Sequence, residues 1–127
     1  MCGFTGYYGI GDFNREEVID QMGERIVHRG PDSAGSFVDD YVALGFRRLS
    51  IIDLEGGSQP IHSADGKHVI IFNGEIYNYR EIRKDLIEKH GCVFQTSSDT
   101  EVILQAYNIR GEDRVYAPGN VCLCNLQ

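Results

Sequence analysis

Apolar positions along the chain fall into short alternating runs and three stripes at helical spacing. Phe4, Tyr7 and Tyr8 favour a strand at the start, and Gly3 and Gly6 permit close backbone approach within it. Gly9-Ile10-Gly11-Asp12 reads as a turn. Val18, Ile19, Met22 and Ile26 then recur with the helical period, behind Asn14 and Glu17 spaced as a capping box. That helix is expected to finish near His28, because Gly30-Pro31 enforces a stop, and His28 to Gly35 reads as a loop. Nothing local gives the loop more than a connecting role.

Strand signals follow. Ser36-Phe37-Val38 leads into a turn at Asp39-Asp40, and Val42, Leu44 and Phe46 alternate with Ala43, Gly45 and Arg47, which predicts a hairpin with one apolar face. Leu49 to Leu54 is apolar enough to be buried, and Glu55 to Gly66 is rich in turn residues. Val69-Ile70-Ile71-Phe72 is a continuous apolar run, expected as a strand covered on both faces. Asn78 with Glu81 caps a second helix, whose stripe is Tyr79, Ile82 and Leu86 and whose end is Gly91. Cys92 to Thr96 reads as a further strand. Ser98 with Glu101 caps a third helix carrying Val102, Ile103, Ala106 and Tyr107, closed by Gly111. No repeat, low-complexity tract or linker interrupts this order, so no internal domain boundary is expected.

Composition narrows the class. A chain of 127 residues can bury roughly two-thirds of its unfolded surface. Its 42% hydrophobic and 24% charged residues describe a folded chain, not a disordered one. The net charge of −7 argues against nucleic acid or an anionic membrane as partner. No long apolar run and no signal-peptide pattern is present, so a cytoplasmic location is expected. Cys2, Cys92, Cys122 and Cys124 form no paired C-x-x-C knuckles, which favours free thiols and no metal site.

Four places carry candidate chemistry. Removal of Met1 would leave Cys2 with a thiol and a free α-amine on one residue. An α-amine of pKa about 7.7–8.0 is partly neutral at cellular pH and can act as the base for its own nucleophile. An ordinary residue at a chain end is the plainer reading of Cys2. Arg48 beside the apolar run needs a carboxylate, which either the fold or a ligand could supply. Asn73-Gly74-Glu75 sits at the mouth of a buried strand and is also compatible with a simple turn. Asp99 lies in a helical first turn, where the dipole alone favours a carboxylate.

Taken together, the stretches Met1-Cys2-Gly3-Phe4, Arg29-Gly30-Pro31-Asp32, Arg48 to Leu54, Gln59-Pro60, Phe72 to Tyr79 and Ser98 to Glu101 resemble a known family. It is the N-terminal glutaminase domain of class II glutamine amidotransferases, in the asparagine synthetase branch. The six stretches stand in family order and cover residues 2 to about 112. The resemblance implies an α+β N-terminal-nucleophile hydrolase fold, two antiparallel sheets sandwiched between helical layers. It implies hydrolysis of L-glutamine to glutamate and ammonia through a thioester on Cys2. It gives Asn73 and Gly74 the oxyanion, Arg48 the α-carboxylate, and Asp99 with Glu75 the α-ammonium. Leu49, Ser50, Ile51 and Ile52 would wall the same pocket.

Two departures are expected. Phe46 stands where the family often has histidine. From about Arg114 the likeness stops, so residues 113–127 read as a divergent tail and the domain as truncated at its C-terminal end. In the family an ATP- and Mg2+-using synthetase domain receives the ammonia for transfer to aspartate; this chain itself is expected to hold no cofactor. The alternative is a non-catalytic fragment that at most binds glutamine.

Overall fold

The computed structural model describes residues 2–50 and 58–111 and the backbone of 119–125. Their contacts divide the chain into two compact units, Met1–Pro60 and Ile61–Gln127. Both mix helix and antiparallel sheet, so the chain is α+β with two three-stranded sheets and three helices among the described residues. The break at Pro60 falls within the turn-rich stretch Glu55 to Gly66, where no domain boundary was expected.

In the first unit, β1 (Gly3–Tyr8), β2 (Ser33–Val38) and β3 (Val42–Arg48) form a sheet in the order β1-β3-β2. Gly3 lies opposite Arg47 on one side of β3, and Ser33 opposite Arg48 on the other. Because β3 is central, Ala43, Leu44, Gly45 and Phe46 are all buried, and the expected single apolar face is corrected to burial on both. β2 begins at Ser33, inside the stretch expected to be loop; ladder pairing to β3 outweighs its small polar residues. The helix α1 (Arg15–Arg25) packs on this sheet through Ile19 and Gly23. Asn14 caps it as expected, its side-chain oxygen accepting from the Glu17 N–H at 3.2 Å. α1 stops at Arg25, short of His28, and a 3-10 turn over Val27–Arg29 completes the descent to Gly30.

In the second unit, β4 (Ile61–His62), β5 (His68–Gly74) and β6 (Gly119–Asn125) form the order β4-β5-β6. The expected burial of Val69 to Phe72 is what the structure shows: three of these residues have no exposure and Phe72 has 2%. Two helices, α2 (Tyr79–His90) and α3 (Asp99–Arg110), cover β5 through a cluster of Ile70, Phe72, Ile76, Ile103 and Leu104, joined by Tyr79 and Ile82. Burying such side chains is worth about 1.5–3 kcal/mol each.

Three local expectations change here. Asn78 stands at the start of α2, but its side chain makes no capping bond; its backbone carbonyl accepts from Glu81 and Ile82. Gly91 ends α2 with φ 66°, a left-handed conformation that favours glycine, as expected. Cys92 to Thr96 is not a strand, because the N–H groups of Gln95 and Thr96 are taken by the Glu101 carboxylate at 2.8 and 2.7 Å. Glu101 is thereby diverted from the capping box, and Ser98 alone caps α3 by accepting from the Thr100 N–H at 3.1 Å. No helix among the described residues is long and apolar enough to cross a membrane.

Candidate active site

The residues singled out in the sequence fall into two sets, one in each unit. Around Cys2, backbone groups meet the sulfur. Its thiol accepts from the Leu49 N–H at 3.4 Å and lies 3.8 Å from the Leu49 carbonyl, to which it donates. The half-buried sulfur is therefore bracketed by the peptide groups that follow Arg48. β1 brings Cys2 there, because the pairing of Gly3 with Arg47 sets the two strand ends side by side. Arg48 is half-buried at the end of β3, with Leu49 and Ser50 next in line. Ile51 and Ile52 lie outside the described residues.

The loop from Arg29 to Asp32 does more than connect, which its composition did not reveal. The Arg29 guanidinium donates through Nε to the Cys2 carbonyl at 3.4 Å, and its stem lies against Gly3. Asp32 accepts from the Ser50 N–H through Oδ2 at 2.6 Å, while its own N–H donates to the Arg48 carbonyl at 3.0 Å. Gly30 sits so close to the Arg47–Arg48 peptide that a Cβ there would overlap the Arg47 carbonyl group. The Arg-Gly-Pro-Asp run was the available signal: a stem, a gap and a carboxylate in four residues.

In the second unit, Asn73 and Gly74 close β5 opposite Asn120 and Gly119. Asn73 is half-buried, and Gly74 and Glu75 are exposed. Asp99 opens α3, and its Oδ2 accepts from the Ile76 N–H at 3.1 Å. Its Oδ1 accepts no hydrogen bond among the described residues. The bond ties the turn carrying Glu75 to the start of α3, so Asp99 is more than a cap of its own helix.

Of the other cysteines with described side chains, only Cys92 remains, and burial pushes its thiol up, away from thiolate chemistry. Cys2 is thus the nucleophile candidate among them. A cavity of about 240 Å³ lies elsewhere in the first unit, between α1 and strands β2 and β3, with Gly23, Gly35 and Arg47 in its wall. It includes none of the candidate residues, and Arg47 there is already bound to Glu24 and the Gly23 carbonyl. The candidate residues Cys2, Arg48, Asn73 and Gly74 lie instead at or beside strand ends.

A cysteine thiol set between a backbone N–H and a carbonyl is a candidate nucleophile for attack on an amide. Comparison with known proteins agrees: residues 1–118 match the glutamine amidotransferase domain, and the chain belongs to that family. It is similar to asparagine synthetase [glutamine-hydrolyzing] 1 of Bacillus subtilis, 54% identical over 111 residues, which is 84% of this chain and 17% of that protein. Asparagine synthetase [glutamine-hydrolyzing] 2 of the same organism is 40% identical over 115 residues, 87% of this chain and 15% of that protein. Asparagine synthetase B [glutamine-hydrolyzing] of Escherichia coli is 42% identical over 119 residues, 89% and 20% respectively. The chain thus spans between 15% and 20% of the length of these relatives.

Proposed function

We propose that this chain is the glutaminase part of a glutamine-hydrolysing asparagine synthetase, and that Cys2 is its nucleophile. The bracketing of the Cys2 thiol by the Leu49 peptide is the observation that carries the reading. With Met1 removed, the α-amine of Cys2 would take the thiol proton as sulfur attacks the side-chain amide carbon of glutamine. The carbon–sulfur bond forms and the carbonyl electrons move to oxygen. Asn73 and the Gly74 N–H would stabilise that oxyanion, a contribution of about 3–4 kcal/mol per donor. Collapse breaks the carbon–nitrogen bond, the stored proton leaves with ammonia, and water then cleaves the thioester to glutamate.

Arg48 suits the α-carboxylate because a guanidinium binds a carboxylate through two parallel bonds. Asp99 suits the α-ammonium because its Oδ1 accepts no hydrogen bond among the described residues, and exposed Glu75 adds a second carboxylate. Asp32 and Arg29 hold the peptides on which Cys2 and Arg48 depend. The finer architecture, an N-terminal-nucleophile sandwich, belongs to this same reading, as does a cytoplasmic location. So does the ammonia acceptor, aspartate activated with ATP and Mg2+ in a synthetase domain.

Ammonia release from L-glutamine by the purified chain tests the reading, alongside intact mass. We expect turnover from a species lacking Met1, and none from Cys2→Ala, which should still bind glutamine. Retention of Met1 in an active chain would overturn it, since an amide nitrogen cannot serve as the base.

A further inference from the structure

The second unit contains a buried carboxylate that the reaction does not use. Glu101 lies in the first turn of α3 with 4% exposure. Its Oε1 accepts from the Gln95 N–H at 2.8 Å, and its Oε2 from the Thr96 N–H at 2.7 Å and the Thr96 hydroxyl at 2.6 Å. With its proton committed to Glu101, the Thr96 oxygen accepts from the Ser98 N–H at 3.2 Å. Ser98 in turn caps α3, and the next residue is Asp99. The chain of bonds runs in one direction, from a buried carboxylate to the backbone immediately before Asp99.

We infer that Glu101 is a positioning residue that, through the Thr96 hydroxyl, fixes Asp99 as the receptor for the α-ammonium of glutamine. The inference rests on the glutaminase reading above. An ionised carboxylate only accepts hydrogen bonds, so it can gather three donors that would otherwise repel one another. The amide of a glutamine would put its own donor among them. Asp99 also holds the Ile76 N–H, so a shift of its backbone would move the turn bearing Glu75 as well.

The test separates positioning from mere stability by removing the group that Asp99 would meet. Binding of L-glutamine and of glutaramate, which is glutamine without its α-ammonium, is measured by calorimetry on the full chain. The parent should prefer glutamine by about 10- to 150-fold, the worth of one hydrogen bond to a charged group. Thr96→Val keeps both N–H bonds to Glu101 and deletes the relay; it should narrow that preference to about threefold or less, leaving glutaramate binding unchanged. Thr96→Ser should restore it, and Glu101→Gln should abolish it wherever the variant folds. Equal loss for both ligands in Thr96→Val would mean a structural role only and overturn the inference. An unchanged preference in Thr96→Val would overturn it alone, leaving the glutaminase reading intact. A parent that binds no glutamine would sink both together.

Discussion

The Cys2 sulfur and the Asp99 carboxylate both meet peptide groups. Leu49 offers the Cys2 sulfur its N–H and carbonyl, and the Ile76 N–H meets Asp99. Substitutions can therefore separate the role of a side chain from that of its support. Asp99→Asn keeps an acceptor for Ile76 but loses the charge, so glutamine affinity should fall about 10- to 150-fold with little change in melting temperature. Arg48→Ala should weaken glutamine to a similar extent. Parent-like affinity in Asp99→Asn would show that its carboxylate serves only the Ile76 N–H and the helix dipole. Gly30→Ala acts differently: it adds no charge and removes none, but its Cβ would overlap the Arg47 carbonyl group. A cost of about 1–3 kcal/mol in urea unfolding is expected, together with weaker glutamine binding as Arg48 and Leu49 shift. Unaltered stability would mean that the loop yields without strain.

At the scale of elements, one carboxylate in the middle of helix α2 meets the last residue of α3. Asp85 of α2 meets Lys89 of its own helix at 2.5 Å and Arg110 of α3 at 2.8 Å. The hydrogen bond from Lys89, with the charges of Lys89 and Arg110, holds the Asp85 carboxyl below the usual carboxylate range. A depressed folded pKa stabilises the folded state above the unfolded value near 3.9 and loses that stability as pH falls through the folded value. Asp85→Asn should thus lower the melting temperature at neutral pH. The deficit should shrink with acid below about pH 4 and with added salt, because the pair is partly exposed. A deficit independent of pH would point to packing instead.

All three helices and the central strands were legible in the sequence, because periodic apolar residues and caps such as Asn14, Ser98 and Gly91 are local signals. The errors came where distant groups compete for a backbone. Glu101, read as a capping-box partner, takes the N–H groups of Gln95 and Thr96 and so prevents a strand there. Ser33 to Gly35 looks like loop until β3 pairs with it. Among the site residues, Cys2, Arg48 and Asp99 drew attention by type and place. Arg29 and Asp32 did not, because their targets are backbone groups of Cys2 and Ser50, 27 and 18 positions away.

At the scale of the whole molecule, the tail poses the sharpest question. Residues 113–127 were read as foreign to the family, and the family match itself ends at residue 118. Yet Gly119–Asn125 runs antiparallel to β5 along its entire length, from Gly74 opposite Gly119 to His68 opposite Asn125. The alternative neighbour β4 offers only two residues, opposite Ile70 and Val69. β6 thus supplies most of the ladder on β5, the strand that ends in Asn73 and Gly74. Buried N–H groups without partners are costly, and a bare strand edge invites pairing with other chains. A chain stopped after residue 118 should therefore lose hydrogen-exchange protection at the β5 amides that point toward β6. Amides of α1, which packs on the other sheet, should keep theirs. The shortened chain should also associate as concentration rises, which light scattering would detect. If the β5 amides stay as protected as in the full chain, then Gly119–Asn125 contributes nothing to the sheet, and the strand leading into Asn73 is held by β4 and the two helices alone.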